Sequence, residues 1–162
     1  MAYLKNSGLK NISYPPGHVL QQVNTKWEIT GGDVTTTSTS WATSGFLVTI
    51  TPLFATSDIW MMFHLNGHRQ NSTSSNANVN IMRSINGGGY TELSARTHAF
   101  AHTYNTDAIV SGFSHTDTDI SGWNGASSIL YQIHYHTDNA SNFNQLVRNN
   151  TTSTGIAMEI MR

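Results

Sequence analysis

The sequence predicts an all-β domain, a sandwich or barrel of roughly eight to ten short strands. Three observations carry this reading. Apolar residues recur with a period of two rather than 3.6. Clusters of Gly, Asn, Ser and Thr punctuate the chain at short intervals. Strong helix formers are scarce, and few stretches place apolar residues at i, i+3, i+4 and i+7. No internal repeat of fixed period is present.

Taken in order, the first 16 residues stand apart. Tyr14-Pro15-Pro16-Gly17 is a stop signal, because a following proline pushes Tyr14 towards extended backbone. Residues 1–16 are expected to form a docking arm. They carry Tyr3, Leu4, Leu9, Ile12 and Tyr14 without a helix or strand period, so order must come from a partner surface. The Pro15-Pro16 pair, stiff and extended, is expected to hold that arm away from the body. Residues 17–162 are the β domain.

Within it, Phe46, Val48 and Ile50 face one way while Leu47, Thr49 and Thr51 face the other. From Asp58 to Leu65 both faces are apolar, with Ile59, Met61, Phe63 and Leu65 against Trp60, Met62 and His64. Such a strand is buried on both sides, so it is central or lies at a subunit interface. Trp60, Met62 and Phe63 are the candidate interface residues. Val79, Ile81 and Ile85 alternate around Arg83, and Phe100 and Tyr104 share a face with His98 and His102. Ile109 and Phe113 share a face across Ser111. Ile129, Tyr131, Ile133 and Tyr135 line one face of a long strand, opposite Leu130, Gln132, His134 and His136. Ile156, Met158 and Ile160 close the chain on one face. Asn86-Gly87-Gly88-Gly89 is the sharpest hairpin candidate, since Asn and Gly accept positive φ. Asn66-Gly67, Ser121-Gly122 and Asn124-Gly125 mark other turns, and 70–78 reads as a polar loop.

Composition narrows the function classes. A chain of 162 residues and 17.8 kDa suits one domain. Only 10% of residues are charged, and 55 are Thr, Ser or Asn, so neutral polar groups replace the missing charge. The net charge of −1 argues against a nucleic-acid binder, which needs a basic surface. With 38% hydrophobic residues the chain is no charge-driven disordered tail. The absence of cysteine excludes disulfides, thiol catalysis and thiolate metal sites. No apolar run follows Met1–Asn6, so no cleaved signal peptide is expected. No stretch approaches the roughly 18 apolar residues of a membrane helix, and no membrane insertion is expected.

Eight histidines invite a metal reading. His134 and His136 are two apart on one strand face, about 6–7 Å, and could chelate if a third ligand arrived. His115, Asp117 and Asp119 align in the same way. Histidines on a polar strand face more commonly hydrogen-bond to neighbours, so no metal and no cofactor are expected. Nine carboxylates include no pair in a recognisable catalytic setting, and no G-x-S-x-G, P-loop or G-x-G-x-x-G motif occurs. No catalytic residue is expected. Trp41, Trp123, Tyr90 and Tyr104 lie in or beside polar loops. There rings can stack on sugars, fill an interface or cap the core.

Several segments carry a resemblance. They are Gly17-His18-Val19-Leu20-Gln21-Gln22-Val23, the run Thr35–Ser40, Leu47-Val48-Thr49-Ile50-Thr51-Pro52, the apolar strand from Ile59, Met82-Arg83, and the closing Thr154–Ile160. In order and spacing they resemble a β-sandwich domain of surface proteins of tailed bacteriophages, especially marine ones. The stretch 95–119 has no counterpart. The resemblance implies a jelly-roll-like β-sandwich, a homotrimer and a structural role on the virion, assembled in the host cytoplasm. It implies no catalytic residues. The partners expected are other copies of the chain and capsid or tail proteins. In the alternative reading, a tail-fibre or carbohydrate-binding module, the partner is a host surface glycan.

Overall fold

The structure, a computed structural model, describes residues 14–70, 77–93 and 109–162. Those residues form ten strands and no helix: β1 (Val19–Ile29), β2 (Val34–Thr36), β3 (Ala42–Ile50), β4 (Asp58–Gln70), β5 (Ala77–Ser84), β6 (Thr91–Glu92), β7 (Ile109–Asp117), β8 (Ile129–Thr137), β9 (Asn144–Val147) and β10 (Thr151–Ile160). Every pairing is antiparallel. One sheet is ordered β1-β10-β4-β9-β2, with β7 also on β4; the other is ordered β3-β8-β5-β6. The two pack face to face as a β-sandwich, as the period-two pattern predicts.

Strand β4 is the hub. It pairs β10 through 58–64, β7 through 59–68 and β9 at 69–70. Strands β9 and β10 therefore run in the same direction along β4, interrupted at residues 148–150. Gly67 makes that close passage possible. It sits at φ +109°, and a Cβ there would stand 2.5 Å from the Arg148 nitrogen.

The core lies between the sheets. Phe46, Val48 and Ile50 of β3, Ile59, Met61, Phe63 and Leu65 of β4, and Ile129, Tyr131, Ile133 and Tyr135 of β8 all point into it. The alternation read from sequence is realised strand by strand. Trp27, on β1, is half-buried and joins this core from the edge. It opposes Ser153 on β10, beside Gly155. Its ring stacks on Phe63 at 6.0 Å between centroids, 8° from parallel, and meets Phe46 of the other sheet at 5.1 Å. Gly155 leaves the space for this. A Cβ there would lie 2.5 Å from Trp27 Cη2 and 2.5 Å from Val48 Cγ2.

The structure settles the direction of one strand face and revises one expectation. The apolar face of β10, Ile156, Met158 and Ile160, points outward and is only half-buried, while Gly155, Ala157 and Glu159 point in. The stacked Trp27 ring fills the inner space, so small residues are needed beneath it. Pro15 and Pro16 do not form an extended spacer. The His18 amide donates to the Pro15 carbonyl at 3.1 Å and Gly17 has φ +84°, so Pro15–His18 is a tight turn with proline at its second position. The Gly17 amide then donates to the Met161 carbonyl at 2.7 Å, and the Tyr14 ring stacks on His18 at 5.1 Å. The arm residues Tyr3, Leu4, Leu9 and Ile12 lie outside the described residues, as do His98, Phe100, His102 and Tyr104.

The hairpin expected at 86–89 is present, with Asn86 at φ 55° and Gly87 at φ 72°.

Replacing Gly155 by alanine drives a methyl group into Trp27 and Val48. We expect a loss of about 1–3 kcal/mol, the cost of overpacking a filled core. Urea unfolding checks this, with a lowered midpoint at an unchanged slope.

Candidate functional site

Three regions carry side chains that packing alone does not explain. The first is the outward face of the β1-β10-β4-β7 sheet. Met158 stands directly opposite Trp60, and Ile156 opposite Met62, with Ile160 at the end of the row. All five are half-buried. Flanking positions are polar: Gln22 and Asn24 on β1, Ser114 and Thr116 on β7. The result is a continuous apolar strip with a polar rim. Of the residues expected at an interface, Trp60 and Met62 lie on this strip. Phe63 does not, because successive side chains of a strand point to opposite faces, and it is fully buried in the core.

At the same end of the sandwich, the loop from β3 to β4 exposes Leu53 and Phe54. Glu159, fully buried, fixes this tip from below. Its carboxylate accepts from the Leu53 amide at 2.9 Å, the Phe54 amide at 3.0 Å and Gln21 Nε2 at 2.6 Å. A buried carboxylate is tolerated when such donors surround it. The consequence is an exposed apolar pair whose backbone is anchored to β10.

The second region is an open pocket of about 330 Å³ beside β5 and β7. Arg83 Nη1 donates to both oxygens of Asp117, each at 2.9 Å, and to the Asp119 carbonyl at 2.5 Å. The Tyr131 hydroxyl donates to Asp117 Oδ2 at 2.8 Å. Burial, then the neighbouring Asp117 carboxylate, push the Tyr131 phenol far above its ordinary range, so it stays a donor. Asp119 is exposed, and its carboxyl is held below the ordinary range by hydrogen bonds from Ser121. The row His115, Asp117 and Asp119 is thus divided. Asp117 is buried and committed to Arg83 and Tyr131, which suits it to joining β5, β7 and β8.

The third region is the outward face of β8. His134 Nε2 meets Gln132 Oε1 at 3.1 Å, and its ring lies 5.0 Å from Tyr90. His136 Nδ1 meets the Thr137 carbonyl at 3.1 Å, and Trp41 packs on its ring edge-to-face at 4.4 Å. No group of three or more His, Asp or Glu side chains among the described residues is placed to hold a metal ion. Trp123 is no loop platform. It is 9% exposed and caps the core, donating from Nε1 to the Ser127 carbonyl. Sequence reading passed over Trp27 and Glu159. The alternation of Val23, Thr25, Trp27 and Ile29 was a usable signal for the first; the second, a lone carboxylate in a terminal strand, carried none.

No protein-family model matches the chain, and no curated protein matches it. The site is therefore read from its own geometry.

Two outcomes follow from these contacts. Arg83→Met leaves Asp117 buried without its cation and is expected to cost about 3–5 kcal/mol in chemical denaturation. Desolvation lowers the His134 pKa, so the folded state resists its protonation. The unfolded chain then binds more protons, and stability falls as pH drops below the unfolded value of about 6.5. Melting temperature measured across pH 5–8 should show this decline, shallower in His134→Gln.

Proposed function

We propose that this chain is a non-enzymatic structural protein on the surface of a tailed-bacteriophage virion, a homotrimeric capsid decoration protein or short fibre. The observation that carries the reading is the outward strip of Trp60, Met62, Ile156, Met158 and Ile160. A contiguous apolar surface partly open to solvent, with a polar rim, suits a protein-binding face. At a net charge of −1, copies of the chain repel one another little, so like subunits can pack closely. An all-β sandwich is also the fold that the resemblance to phage surface proteins implies. The Leu53-Phe54 tip supplies a second anchor at the same end. An arm at residues 1–16 would dock on a capsid or tail protein, leaving the sandwich to contact its own copies.

The strip and the core respond differently to substitution. Phe63→Ala should cost about 3–5 kcal/mol of stability, because it opens a cavity. Trp60→Ala should leave a folded chain of reduced self-association. Light scattering of the wild type is expected to give about three times 17.8 kDa. A stable wild-type monomer would sink the trimer. Deleting residues 1–13 should leave the melting temperature nearly unchanged and abolish incorporation into virions; a truncated chain that fails to fold would put the arm in the core instead.

A further inference from the structure

The outward face of β8 holds a feature that a structural role does not use. Two ring pairs lie side by side, Trp41 with His136 and Tyr90 with His134. The two histidines are two residues apart on one strand, so their backbones are about 6–7 Å apart, with Trp41 arriving from the β3 side and Tyr90 from the β5–β6 hairpin. All four rings are partly open to solvent, and Tyr90 is 40% exposed. Around them the outward positions of β8 and β3 are neutral, and the charged residue further along this face is an acid, Glu92, opposite Met82. Strand β8 carries Leu130, half-buried, and Gln132, which is buried against His134, and the facing positions on β3 are Thr43, Leu47 and Thr49. None is charged.

The chemistry of this surface selects its ligand. A sugar ring offers an apolar C–H face and a rim of hydroxyls. Aromatic faces meet the first, and planar amide, imidazole and hydroxyl groups meet the second. The absence of Lys and Arg from these positions leaves an acidic sugar without a counter-charge. The geometry points to a binding platform for a neutral oligosaccharide on the outward face of β8, with Trp41 and Tyr90 as stacking residues and His134 and His136 as hydrogen-bonding groups. The platform lies on the opposite sheet from the Trp60 strip, so a self-associated chain keeps it open. It stands or falls independently of the virion reading.

The test uses the full chain on an immobilised panel of neutral oligosaccharides of glucose, galactose and N-acetylglucosamine, alongside sialylated and sulfated ones. Hits are then titrated with the soluble sugar by calorimetry. We expect binding to at least one neutral member, weakened about tenfold or more by Tyr90→Ala and by Trp41→Ala, with Tyr90→Phe close to wild type. Circular dichroism checks folding of each variant. Tyr90 is exposed on a hairpin, so its variant stays informative if Trp41→Ala fails to fold. No binding to any neutral sugar would overturn the proposal. So would binding confined to the acidic ones, or binding that Tyr90→Ala leaves unchanged.

Discussion

The sandwich depends on one aromatic ring crossing a strand that makes room for it. Trp27 starts on β1, an edge strand, and reaches over Gly155 of β10 to stack on Phe63 of β4 and touch Phe46 on the opposite sheet. One side chain thereby ties three adjacent strands of one sheet to the second sheet. A large ring buries far more apolar area than any other side chain in β1 can. Without it β1 would keep only the smaller Val23 and Ile29 against the core, and the edge of the core would be open.

That choice has a consequence on the other side of the sheet. With the inner face of β10 reduced to Gly155, Ala157 and Glu159, its large residues must point outward. There Ile156 and Met158 meet Met62 and Trp60 of β4. The inner packing and the outward strip are therefore two faces of one arrangement. Glu159 adds to it, because a buried carboxylate facing in can only be accommodated by donors, and Gln21 and the amides of the Leu53-Phe54 tip supply them. The residues that build the core thus also shape the surface proposed to bind other copies.

The scarcity of charge is explained by where the polar groups sit. Asn144 is fully buried and donates to the carbonyls of Asn78 and His136, each at 3.0 Å. Gln145, also fully buried, donates to the Gly67 carbonyl at 2.8 Å. Neutral amides can bind backbone carbonyls inside a protein at much lower desolvation cost than ionised groups. Charge is kept for the few places where its partner is at hand, as in Arg83 with Asp117.

The sequence by itself determined the class of fold and the inward faces of β3 and β8. Alternation of Ile, Phe, Val and Met is a local property, and a period of two assigns each side chain to a face without knowledge of any neighbour. It also determined the 86–89 turn, because Asn-Gly carries its backbone preference with it. Only the tertiary structure decided which apolar face of a two-sided strand is core and which is surface. Phe63 and Met62 look equivalent in sequence and differ only in what the other sheet covers. The same holds for Ile156 and Met158, turned outward by a tryptophan more than a hundred residues away. It holds also for Trp123 and the His115–Asp119 row, where long-range partners settled that the indole is core and Asp117 is a strut. The arrangement of rings on β8 needed β3 and the β5–β6 hairpin to arrive beside it. Contacts between residues distant in sequence leave no periodic trace in the chain, and those contacts made the candidate sites.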